Sequence, residues 1–229
     1  MGLSLRSCRL KNHLFKEMSP DQPASLERLF EDLAHPNPNI QQDAYWAMAE
    51  HYPDQAIPRL LDLIHDTDPG VYRTAVKALG VFGARSFEPL LKLFDQSENG
   101  TVRACCVKAL VQIAVNFPQE AFPAEALDAL TRALDDPSPV VAQSALMTLG
   151  YVAKATEGGE RVIPVLVKVC SGDNIAHVQA AVMALAEVDS PEAESCLRGL
   201  ADSDTTDPLV QEIVQASLER LANLQASNR

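Results

Sequence analysis

The chain has 229 residues, 47% of them hydrophobic but only 5% aromatic, and 31 acids against 19 bases give it a formal charge of −12. That length buries a sizeable core as one domain or one continuous array, and an Ala-, Leu- and Val-rich composition poor in aromatics favours packed helices over a β-sandwich. The acidic balance excludes a duplex nucleic-acid binder, which needs a basic face, and no apolar run approaches the ~18 residues of a membrane span.

Residues 1–20 hold four bases (Arg6, Arg9, Lys11 and Lys16) and one acid, Glu17. They lack the long apolar stretch of a secretory signal. They read as a basic N-terminal extension, either disordered or a targeting segment, with Met18 a second candidate start ahead of SPDQPASLERLF.

From residue 21 to 222 the sequence is a run of paired helical patterns. The first helices are LERLFEDL (26–33), IPRLLDLI (57–64), FEPLLKLF (87–94), ALDALTRAL (126–134), IPVLVKV (163–169) and AESCLRGL (193–200), each with apolar residues at helical spacing. Turn residues follow them: HPNPN, HDTDPG, QSENG, DDPSP, SGDN and SDTTDP. Asp, Asn and Ser there cap the next helix, and Pro suits its first turn. The second helices then repeat one another: NPNIQQDAYWAMA (37–49), DPGVYRTAVKALG (68–80), NGTVRACCVKALV (99–111), SPVVAQSALMTLG (138–150), NIAHVQAAVMALA (174–186) and DPLVQEIVQASLE (207–219). Their shared leucine-type position falls at Met48, Leu79, Leu110, Leu149, Leu185 and Leu218, in steps of 31, 31, 39, 36 and 33 residues. One such unit cannot bury its apolar stripe alone, so neighbours must stack. In the second unit Val71, Ala75, Ala78, Leu79 and Phe82 fall within about 100° of arc, and the small residues allow close approach. The expected fold is an all-α, HEAT-repeat solenoid of about six helix-turn-helix units over residues 21–222, with a polar C-terminal tail at 223–229.

Catalytic motifs are missing: no P-loop, GxGxxG, HExxH, GxSxG or calcium-loop pattern occurs. Five cysteines (Cys8, Cys105, Cys106, Cys170 and Cys196) follow neither a disulfide framework nor paired zinc spacing, which fits a reducing cytoplasm. Cys106 is in register with Ala75 and reads as core, Cys105 as the flank of the buried stripe, and Cys170 and Cys196 as core thiols. His35 and His65 occupy equivalent turns and read as solvated. No cofactor and no metal is expected.

What a solenoid offers is the inner surface lined by its second helices. Along it, one column of aligned positions reads Trp46, Lys77, Lys108, Met147 and Met183; a neighbouring column includes Arg73, and a third reads Ala49, Gly80, Val111, Gly150 and Ala186. Trp and Met beside small residues give an adaptable apolar track with a basic patch near its middle.

The 31-residue units with DPGVYRTAVKALG, and the Tyr45-Trp46 pair, resemble the HEAT-like repeats of cyanobacterial phycobilin lyase subunits of the CpcE/CpcF type. Over residues 23–222 the chain is also similar to the cyanobacterial HEAT-repeat proteins that interact with IscA. The resemblance implies two kinds of activity. Lyase-type members act as paired subunits that attach bilins to, or detach them from, a cysteine of the antenna protein. Their groove needs aromatic and arginine side chains for an anionic tetrapyrrole, for which Arg73 and Arg103 are the nearby arginines. Interaction-type members bind iron–sulfur assembly or photosynthetic partners and catalyse nothing. The Tyr-Tyr and Trp-Trp runs of lyase subunits are missing here. The leading expectation is therefore a non-catalytic cytoplasmic scaffold that docks a protein partner (an iron–sulfur assembly factor, photosystem or phycobilisome component) on Tyr45, Trp46, Arg73, Lys77, Arg103, Lys108, Met147 and Met183. The alternative is a phycobilin lyase subunit or bilin chaperone.

Overall fold

A computed structural model of the protein describes residues 23–155 and 158–227. The basic extension at 1–20, with Cys8, lies outside the described residues. The helices form six consecutive pairs. These are α1 (Leu26–Asp32) with α2 (Pro38–His51), α3 (Pro53–Leu63) with α4 (Pro69–Leu79), α5 (Phe87–Gln96) with α6 (Gly100–Asn116), α7 (Ala124–Ala133) with α8 (Pro139–Ala155), α9 (Ile163–Cys170) with α10 (Ile175–Leu185), and α11 (Pro191–Ala201) with α12 (Pro208–Ser227). No strand occurs among the described residues. Helix α12 continues through residues 223–227, where a tail is expected from sequence, and Leu224 packs on the core.

Local chemistry explains many of the helix starts. Asn37, Asp68 and Asn99 accept hydrogen bonds through Oδ1 from the backbone N–H of Asn39 (3.0 Å), Gly70 (2.7 Å) and Thr101 (2.9 Å). Pro38, Pro53, Pro69, Pro139, Pro191 and Pro208 open their helices, where the absent N–H has no intrahelical partner to lose. Between α4 and α5 a tight helical turn, Gly80–Ser86, redirects the chain at Gly83, whose φ of 55° and ψ of −133° only glycine adopts readily. Ser86, fully buried, donates its hydroxyl to the Leu79 carbonyl at 2.8 Å and closes that turn.

The second helices pack on one another in the order α2, α4, α6, α8, α10, α12, and the first helices lie beside their partners as a second layer. The core runs continuously between the layers. Met48, Leu79, Leu149 and Leu185 are completely buried and Leu110 nearly so, whereas Leu218, in the last described helix, is only half-buried because among the described residues no later helix packs over it. Ala75 and Ala78 are likewise fully buried. Gly80 and Ala186 are also buried, though the repeat register suggests they face the inner surface. Successive second helices approach so closely that this column becomes part of their mutual interface.

One polar strut ties neighbouring units. Arg103, on α6, donates from its guanidinium to both carboxylate oxygens of Asp136 at 2.7 and 2.9 Å, and to the Ser97 carbonyl at 3.0 Å. Asp136 also accepts from the Ser138 backbone N–H at 2.8 Å, just ahead of α8. The two side chains are 15% and 8% exposed, so solvent screens the pair little. The Arg103 hydrogen bond, aided by that of Ser138, holds the Asp136 carboxyl below the usual carboxylate range. A depressed folded value means the stabilisation is present above the unfolded value near pH 4 and is lost as pH falls through the folded one. Asp136→Asn should therefore destabilise the protein by about 2 kcal/mol at pH 7. Urea unfolding of both proteins should show that gap closing below about pH 4.

Candidate functional site

Three second helices shape a groove. Helix α4 supplies Tyr72, Arg73, Val76 and Lys77, α6 supplies Ala104, Cys105, Lys108 and Gln112, and α8 supplies Val140 and Met147. The cavity measures about 530 Å³, within the range of small-molecule and cofactor sites. Lys77 and Gln112 also line a smaller hollow of about 210 Å³ with Gln42, Tyr45, Trp46 and Asn116. The two hollows therefore adjoin at Lys77 and Gln112, with Trp46 lining the smaller and Met147 the larger.

The repeat explains who lines it. Residues 31 positions apart fall at the same point of successive units, so Lys77 and Lys108 stand side by side on α4 and α6. Both lysines and Arg73 are solvent-exposed. Three cations therefore meet on one wall of a chain whose formal charge is −12, which creates a local field for an anion. Trp46 is 42% exposed and Met147 is 47% exposed, one at each end of the groove. The indole also packs edge-on against Phe117, with centroids 6.0 Å apart, so its orientation is fixed while one side stays open.

Of the eight residues expected on the face, five gather in these two hollows with exposed side chains: Trp46, Arg73, Lys77, Lys108 and Met147. Met183 is 58% exposed on α10, beyond the groove. Tyr45 lines the smaller hollow but is buried, with its hydroxyl on Gln41 Oε1 at 3.3 Å. Arg103 faces away from this role, because Asp136 and Ser97 occupy its donors. Sequence reasoning missed the polar groove residues Tyr72, Gln112 and Asn116. The signal for Gln112 was its place one helical turn after Lys108, on the same face.

Cys105 forms part of the groove floor and is 3% exposed, deeper than the flank position its register suggests. Burial pushes its thiol above the usual range, against the smaller opposing pull of Lys108 and Arg73. Cys106 is driven to about 12, chiefly by burial, which suits a packing thiol. Among the described residues, no three His, Cys, Asp or Glu side chains cluster in a way that could hold a metal ion. No described helix is long and apolar enough to cross a membrane.

Comparison with known proteins shows the family of the chain. The HEAT-repeat family model matches residues 26–111, 63–150, 87–180 and 127–219. The bilin biosynthesis protein CpeZ of Synechococcus sp. (strain WH8020) is 57% identical over 182 residues, covering 80% of this chain and 98% of that protein. An uncharacterized phycocyanin operon protein Z of Pseudanabaena tenuis (strain PCC 7409) is 32% identical over 198 residues, 86% of this chain and 95% of its own length. The complex of CpcE and CpcF of phycocyanin lyase from Nostoc sp. PCC7120 shares the fold, with a TM-score of 0.56 and 22% identity over 71% of this chain and 97% of the matched one. These relatives favour the bilin alternative over an iron–sulfur adaptor, and they do not support the likeness to an IscA-interacting protein. The chain belongs to the HEAT-repeat family and, within it, to the family of the bilin biosynthesis protein CpeZ.

Proposed function

We propose that this protein is a bilin chaperone or lyase-type subunit, which holds an open-chain tetrapyrrole for attachment to a phycobiliprotein. The observation that carries the reading is the Arg73–Lys77–Lys108 wall between Trp46 and Met147. A bilin is planar, apolar along its rings and anionic at its propionates. The three cations suit the propionates, and the indole and thioether suit the rings.

The groove's own chemistry favours holding over bonding. Cys105 is the thiol nearest the cations, and burial keeps it protonated near neutral pH. A protonated thiol is a poor nucleophile. Covalent attachment then takes place on the acceptor's cysteine, with this chain presenting the pigment. The reading places the protein in the cytoplasm with a phycobiliprotein as its partner, in keeping with the free thiols at Cys105, Cys106, Cys170 and Cys196.

Titration of purified bilin with the protein tests it. A saturating shift and sharpening of the visible absorption band is expected. Adding the apo-phycobiliprotein should then move the pigment onto the acceptor, read as colour that survives denaturation. An unchanged bilin spectrum at micromolar protein would reject the proposal.

A further inference from the structure

Past the groove the exposed face of the second helices changes character. Helix α8 exposes Val140, Met147 and Tyr151 in one stripe, and α10 exposes Ile175, Ala180 and Met183. No acid, lysine or arginine occurs from Val140 to Tyr151 or from Ile175 to Met183. His177 turns into a separate hollow with Lys168 and Asp173. The two stripes lie side by side. Helices α8 and α10 pack on each other, and a Cβ built on Gly150 would stand 3.1 Å from Ala184 Cβ. Tyr151 follows Gly150 and Met183 precedes Ala184, so both large side chains flank this close approach. Charge returns at Lys154 and Glu187, which pair across the two helices at 3.5 Å and close one end of the patch. Apolar side chains contiguous at a surface mark an interaction site, whereas scattered ones do not.

The patch is continuous with the groove, because Val140 and Met147 line both. The opposite flank is different: α2 exposes Gln42, Asp43 and Glu50 beside Trp46. The bilin-holding reading, on which this inference rests, requires an acceptor thiol to reach a pigment in the groove. The acceptor must then sit against one flank of the groove, and of the two the α8–α10 side offers uncharged apolar contact.

We propose that the α8–α10 face is where the pigment's acceptor protein docks, through an uncharged apolar surface beside its acceptor thiol. Tyr151 and Met183 anchor the acceptor while the three cations hold the pigment alongside. Holding and docking thus use different chemistry, electrostatic in the groove and apolar on the patch, and salt separates them.

The experiment measures acceptor binding without pigment, by titrating the full chain with the apo-phycobiliprotein of the transfer assay. The complex should persist as salt rises from about 50 to 500 mM, whereas bilin binding falls. Ala180→Glu with Met183→Glu should weaken the complex at least about 10-fold, since charges must then leave water against an apolar face. Ala180→Lys with Met183→Lys should do the same, which separates lost apolar contact from a preference for one sign of charge. Both positions are exposed, so these variants should fold and give the parent's bilin absorption shift. Their pigment transfer should show a raised KM for the acceptor with an unchanged maximal rate. Should either double variant fold poorly, Met183→Gln gives the same test with a smaller loss. Parent-like acceptor binding by the variants would overturn the proposal. So would weakening by one sign of charge alone, or loss of self-association with acceptor binding intact, which would assign the face to a second copy of this chain. A parent that binds the acceptor through this patch yet leaves the bilin spectrum unchanged would sink the bilin reading and keep the docking face. A parent that binds bilin and not the apo-protein would do the reverse.

Discussion

Gly80→Ala should destabilise the protein by about 2–3 kcal/mol and lower its melting temperature by roughly 5–10 °C. The cause is space, since Gly80 has an ordinary helical φ of −66°. A Cβ built there would stand 2.2 Å from Gln112 Cβ and 3.2 Å from the Gln112 backbone carbon atoms. None of those atoms is the free end of a flexible side chain, so α6 itself must move. Moving it also stretches the 3.1 Å hydrogen bond from Asn116 Nδ2 to the Gly80 carbonyl. Gly199 supplies the contrast: it lies within α11, exposed, with nothing within 4 Å of the added carbon. Gly199→Ala should stabilise by about 0.5–1 kcal/mol through helix propensity. Thermal unfolding of the two variants side by side separates crowding from propensity. Equal melting temperatures would mean that α4 and α6 are not in close contact at this point.

The same residue shows where the sequence can be read directly and where it cannot. Leucine-type positions repeating at 31 to 39 residues name the buried stripe, because burial on a helix depends only on its own face and on having neighbours. Caps such as Asp68 and Asn99 are legible for a similar reason, since their partners lie two or three residues away. Gly80 looks like one more small residue of the inner surface. Its burial depends on the approach of α6, 32 residues later, and that distance is a property of the stacked pair. Arg103 is misplaced from sequence for the same reason. The sequence reads it as an arginine near the groove, but Asp136 on the following unit holds its guanidinium. Lys77 and Lys108 escape this difficulty, because a repeat period puts equivalent residues of adjacent units side by side whatever the stacking angle. A column is therefore readable when its members contact only solvent, and unreliable when they contact each other's units.

Reversing the charge of both groove lysines, Lys77→Glu with Lys108→Glu, should weaken bilin binding by about 30- to 100-fold. Each lysine is exposed, so loss of one screened contact with a propionate is worth only about 1 kcal/mol, and repulsion from the introduced carboxylates adds to it. Arg73 remains and limits the loss. Neither lysine has an ion-pair partner within 4 Å among the described residues, so the melting temperature should stay within about 2 °C of the parent. Lys92→Glu, on α5 and exposed, changes the net charge in the same sense and should leave affinity unaltered. Ionic strength provides the second readout. Parent affinity should fall as salt rises from 50 to 500 mM, because the Debye length shrinks from about 14 Å to about 4 Å, whereas the double variant should respond far less. Met147→Ala should cost a smaller factor with the salt response intact, because it removes apolar contact from the far end of the groove without altering charge. If the double variant binds bilin like the parent while Lys92→Glu weakens it, the pigment lies outside the second-helix groove. The cationic wall would then face an acidic protein partner in place of the propionates.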